Sequence, residues 1–424
     1  MNAEIIENVQ GELSNTRASI QGNLDADILT DRRQVPGVEN GPFRSPTNRL
    51  IRGSLAHAMK LLRDDPISAR ENRGIVFDFA HGQRALTEKL DQIDLQYRDN
   101  GIEVEDGRGG LIHVSTLDVN NPQEGEDNRI PWVMIGGATS TSEANAALPI
   151  ALAVAGEMVS VMTYPEQMRM REGGRGFSDK ISNSGDDDFE RFKSAIKSLG
   201  YAKINLVGHS LGGSLVLRIA ADPEFAEIVE VQDVVALAPT GFIRKPVIGN
   251  ALDFQKEGGV ISADPEMEAS IFKQGVMDAN NPSLMGDPVG IKGKLDFALN
   301  FASTGRAAAT KTINEGVLER AIDNVKGDVE VWTGSEDKII REQEVHSLVG
   351  KMSQKFPNRI SSYSLDGGSH NSFFTNAFGF VRARAEEQQA RRDAGISMVG
   401  KRIEENTLER SGAEMILRQM TDVN

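Results

Sequence analysis

The chain has 424 residues, 39% of them apolar and 26% charged, and its 62 acidic against 47 basic side chains leave a formal charge of −15. That composition fits an ordinary soluble globular protein with a sizeable core, and the acidity, with no long basic stretch to offset it, argues against nucleic acid as a partner. Cysteine is absent, which excludes disulfides, thiolate nucleophiles and cysteine-ligated metal.

The first thirty residues have neither a basic start nor an apolar run of signal-peptide length. Arg32-Arg33 is followed by the polar "QVPGVENGPF", and nowhere do about eighteen apolar residues run together. A cytoplasmic protein with no membrane span is expected. Residues 1–100 read as an N-terminal extension: a polar arm with the turn-rich "VPGVENGPFRSPTN", then helical spacing in "LIRGSLAHAMKLLRDD" and "HGQRALTEKLDQIDLQYRD".

The pattern changes at residue 101. "GIEVED" and "GLIHVSTL" flank "GRGG" and predict a hairpin. Strand and helix then alternate: strand "PWVMIGG" (131–137), helix 142–157, strand "MVSVMTYP" (158–165), helix 185–200, strand "KINLVG", helix "SLVLRIAAD" closed by Pro223, and strand "VQDVVALAP" (231–239). Such alternation predicts βαβ units and a mostly parallel sheet flanked by helices. Residues 241–326 interrupt it and are expected to form a helical cap over the core segment 101–240. The core resumes over 327–385, with strands "DVEVWTG" (328–334) and "RISSYSLDGG" (359–368) around a helix near 341–354. The mixed-charge residues 386–424 are expected to be a helical tail, and the terminal helices are a candidate homodimer contact.

Gly208, His209, Ser210, Leu211 and Gly212 spell G-x-S-x-G between a predicted strand and a predicted helix. A serine at so tight a turn is held in a strained backbone and is expected to stand exposed above the sheet, with the helix N-terminus and the Leu211 N–H aimed at any oxygen developing charge beside it. The bland reading is a serine that merely caps the helix.

A serine hydroxyl needs a base, usually a histidine oriented by a carboxylate. Of six histidines, His57 and His81 lie in the extension, His113 in a strand, His346 in a helix and His209 beside the serine itself. That leaves His370, in "LDGGSHNSFF" just past a strand. Asp337, in "VEVWTGSEDKII", is the first choice of acid, with Glu336 and Asp366 as alternatives.

The order Ser210, Asp337, His370 resembles that of the α/β-hydrolase superfamily, with "GHSLGG" as nucleophile elbow, "TGSEDKII" as acid loop and "GGSHNSFF" as histidine loop, over about residues 101–385. The resemblance implies an α/β-hydrolase fold and a cofactor-free, metal-free serine hydrolase of the esterase/lipase kind acting on a small acyl substrate. It also implies a second oxyanion donor in "VMIGGATS", with Ala138 N–H first and Gly137 next. "GGRGFSDK" (173–180) resembles a glycine-rich structural segment of the family. Gly137, His209, Phe272 and Phe297 are expected substrate contacts, although the two phenylalanines fit a cap core equally well. A thioesterase, an amidase or peptidase, a carbon–carbon bond hydrolase and an acyltransferase share the same triad. A non-catalytic binding protein of the same fold is the rival from another class.

Overall fold

The computed structural model describes residues 101–107, 110–118, 129–137, 147–163, 185–243, 312–375, 377–404, 408 and 415. The expected extension, most of the expected cap (244–311), Ala138, Phe272, Phe297 and the segment 173–180 lie outside them.

Among the described residues nine strands form one sheet in the order β1-β2-β4-β3-β5-β6-β7-β8-β9. β1 (Gly101–Glu105) and β2 (Leu111–Leu117) make the predicted antiparallel hairpin, and β2 also runs antiparallel to β4 (Val159–Met162). From β4 onward every pairing is parallel: β3 (Trp132–Ile135), β5 (Lys203–His209), β6 (Glu230–Leu237), β7 (Val329–Gly334), β8 (Ile360–Asp366) and β9 (Lys401–Glu404). The central strands are buried on both faces, as the apolar runs "WVMI" and "VSVM" require once helices cover both sides of a parallel sheet.

Helices α1 (Ala147–Val154), α2 (Gly185–Ser198) and α3 (Leu211–Ala220) connect the early strands. Pro223 does more than close α3: it opens the short α4 (Pro223–Ala226), which Asp222 caps through a 2.9 Å bond from Phe225 N–H. The end of the stretch expected as a cap is α5 (Glu315–Asn324), which packs on α3 and on α6 (Glu342–Lys355) as the crossover helix between β6 and β7. α7 (Ser372–Thr375) and α8 (Ala377–Ala394) pack with α1. Arg384 of α8 reaches the buried Glu330 of β7 through two 3.1 Å bonds, and Trp332 Nε1 donates to the same carboxylate at 3.0 Å. The buried charge is thereby paired and hydrogen-bonded, as burial demands.

The tail differs from expectation. α8 continues the core chain to Ala394, and Lys401–Glu404 is not helical but adds β9 to the sheet edge. Ser361 and Ser362 hydroxyls accept from Met398 and Gly400 N–H, and Ile403 is buried, so β9 is fixed by contacts from β8 rather than by its own mixed-charge pattern.

Candidate active site

The sheet register brings the site together. His209 at the end of β5 lies level with Leu237 of β6, Leu237 with Trp332 of β7, and Trp332 with Tyr363 of β8. Ser210 follows the first of these strands at once, Asp337 follows β7 by three residues, and His370 follows β8 by four. All three therefore emerge at the carboxyl edge of the parallel sheet, Ser210 after β5, Asp337 after β7 and His370 after β8, with β6 between the first two strands, where ligands of open α/β sheets bind.

Ser210 has φ 54° and ψ −116°, a conformation costly for a residue with a Cβ, by about 1–3 kcal/mol. Neighbouring backbone holds it there: Ser210 N–H donates to Leu237 O at 2.8 Å, and its carbonyl accepts from Thr240 N–H at 3.1 Å and Ser214 N–H at 3.3 Å. The turn also needs its glycines, since a Cβ on Gly212 would collide with the Ile135 and Gly136 carbonyl oxygens, and one on Gly208 with the Gly212 carbonyl. Although it occupies the N-cap of α3, the Ser210 side chain makes no capping bond. That removes the bland reading of the motif. Ser210 is only 3% exposed, so it is not raised into solvent as expected but lies within the protein.

Asp337 and His370 are joined: His370 Nδ1 lies 2.8 Å from Asp337 Oδ2, with side-chain exposures of 3% and 0%. The second carboxylate oxygen, Oδ1, accepts from Ile339 N–H at 2.7 Å and Ile340 N–H at 2.9 Å. Since a carboxylate only accepts, Nδ1 is the protonated nitrogen and Nε2 carries the lone pair, the tautomer a general base needs. The rival acids are engaged elsewhere: the exposed Glu336 pairs with Lys338 at 3.0 Å, and Asp366 pairs with Arg402.

His209 is buried. It is 4% exposed, its ring lies 4.8 Å from the His370 ring and edge-on to Phe374 at 4.8 Å, and a Cβ on Gly137 would crowd its Nδ1. Burial, and secondarily the neighbouring His370, push its pKa down to about 3. In the unfolded chain His209 protonates near its ordinary value, so below about pH 6.5 the unfolded state binds the extra proton and stability falls with pH down to about 3. Urea unfolding of the parent and of His209→Gln is therefore expected to diverge on acidification, the parent losing roughly 2–3 kcal/mol more between about pH 7 and 4.5. Parallel pH dependences would contradict a neutral buried His209.

Leu211, at the first position of α3, belongs to the first turn, whose N–H groups have no intrahelical acceptor. Two contributors had no sequence signal: Thr240, whose N–H holds the Ser210 carbonyl, and the Ile339–Ile340 N–H pair that holds Asp337. Each acts through its backbone, where the side-chain identity carries no pattern. Among the described residues no cluster of three or more His, Asp or Glu could hold a metal ion, and no helix is long and apolar enough to cross a membrane.

A profile of the alpha/beta hydrolase family matches residues 164–383, just over half of the chain. The chain belongs to that family. No curated protein matched its sequence. Solved structures similar to this hydrolase include E-2-(acetamidomethylene)succinate hydrolase, at 17% identity and a TM-score of 0.45, covering 68% of this chain and 97% of that one. Another is the 2-hydroxy-6-oxo-6-phenylhexa-2,4-dienoate hydrolase of Rhodococcus sp. strain RHA1, at 17% identity and 0.45, covering 69% and 97%. The naproxen esterase of Bacillus subtilis shares 15% identity at 0.40, covering 73% and 97%.

Proposed function

We propose that this hydrolase cleaves a carboxylic ester through an acyl-enzyme on Ser210. The observation that carries the reading is the buried Asp337–His370 pair at the ends of β7 and β8, beside an elbow whose serine does not cap its helix.

In the proposed reaction Ser210 Oγ attacks the ester carbonyl carbon and its proton passes to His370 Nε2. Negative charge collects on the carbonyl oxygen, toward which the Leu211 and Ala138 N–H groups and the N-terminus of α3 donate. Collapse of the intermediate breaks the ester C–O bond, and the leaving alcohol takes the proton from His370. A water then gives its proton to Nε2 and attacks the acyl carbon. The second intermediate releases the carboxylic acid and returns the proton to Ser210. Asp337 supports the imidazolium that forms twice in each cycle.

Matched short-chain aryl esters, thioesters and anilides, offered without added cofactor, test the bond type. Ester turnover at least about tenfold above the thioester and anilide in kcat/KM supports the reading; preference for either of the others assigns a different acyl chemistry to the same residues.

A further inference from the structure

The His209 ring bridges two loops that the chain order keeps apart. Its Nε2 lies 2.9 Å from the main-chain oxygen of His370, 161 positions away. A carbonyl oxygen only accepts, so Nε2 carries the hydrogen and His209 is the donor. We propose that His209 is a positioning residue, which sets the distance between Ser210 and His370 by tying the main chain of the histidine loop to the serine turn.

Three observations favour this over simple core filling. His209 directly precedes Ser210, whose backbone is pinned by Leu237, Thr240 and Ser214, so the donor sits next to a constrained turn. The loop it grips is also held from the β7 side, by Glu336 N–H to Gly368 O at 2.9 Å and by the Asp337 carboxylate on the His370 side chain. Those bonds orient the imidazole toward Asp337 and run to the β7 loop. The His209 bond links the same loop to the end of β5, with the Phe374 ring edge-on against the imidazole. A neutral His209 also keeps a second cation away from His370 while it carries the proton in transit.

The inference rests on the serine-hydrolase reading, and it predicts a particular pattern among substitutions. Glutamine can place an amide N–H where Nε2 stands, asparagine places it near Nδ1 instead, and leucine has no donor. His209→Asn and His209→Leu are expected to lose about 10–100-fold in kcat with KM within about threefold of the parent, because displacing a base by ångströms costs on that order. His209→Gln is expected to stay within about fivefold of the parent. A His209→Leu enzyme with the parent's kcat, or a His209→Gln enzyme as slow as His209→Leu, overturns the proposal. Should the donor-less variants fail to fold, long-range nitrogen–proton NMR spectra of the histidine-labelled parent decide: His209 is expected as the Nε2–H tautomer, and an Nδ1–H tautomer refutes the bond. Ser210→Ala separates the two readings. If it retains turnover, the serine mechanism fails while the tautomer still reports on the tie; if it is inactive and His209→Leu is not, only the positioning role fails.

Discussion

Ser210→Ala is expected to lower kcat toward a short-chain aryl ester by about 10³-fold or more while leaving the unfolding midpoint nearly unchanged. The size follows from removing the atom that forms the covalent intermediate: loss of one member of a cooperating triad costs nearly as much as loss of all, and only binding and oxyanion donation remain. Little change in stability follows from the local structure. The hydroxyl makes no capping bond to α3, and alanine keeps the Cβ, so the strain at φ 54° is neither added to nor relieved. Circular dichroism and a urea melt check the fold; turnover within about tenfold of the parent removes Ser210 from the chemistry.

Asp337→Asn is expected to cost about 10³–10⁴-fold in kcat with the His370 loop still in place. The reason lies in the three donors around the carboxylate. Ile339 and Ile340 N–H both point at Oδ1, so the single amide oxygen of asparagine is drawn there, leaving its NH₂ toward His370 Nδ1. Two donors cannot share a bond, so Nδ1 gives up its hydrogen to become the acceptor and Nε2 becomes the protonated nitrogen. Nε2 then has no lone pair with which to take a proton. Glu336→Gln and Asp366→Asn are expected to remain within about threefold of the parent, since one pairs with Lys338 and the other with Arg402 near the sheet edge. Loss on Glu336→Gln comparable to that on Asp337→Asn would reassign the acid.

Much of the fold could be read from the chain because parallel strands buried on both faces leave apolar runs such as those of β3 and β4, and each of the three candidate residues lies within four positions of a strand end. Ser210 needed only its glycines and its flanks. Asp337 and His370 needed the further idea that strand ends converge, which the register of β5 to β8 realises. β9 was illegible for the opposite reason: four residues with one buried apolar side chain make no periodicity, and β8 imposes their conformation. α5 was drawn into the cap because a single amphipathic helix carries no mark of which layer it joins; its contacts with α3 and α6 decide. The exposure expected of Ser210 failed because a turn's tightness says nothing about what packs over it. The His209 contact had no mark in the chain for a related reason, since its partner is a main-chain oxygen whose approach depends on the whole fold.

Labelling with a fluorophosphonate probe, followed by intact-mass measurement and peptide mapping, tests the central claim most directly. An activated Ser210 is expected to take up one adduct per chain at that residue, with Ser210→Ala refractory and Asp337→Asn labelled far more slowly. A well-folded parent that acquires no adduct, or acquires it at another residue, would contradict a nucleophilic Ser210 served by His370 and Asp337.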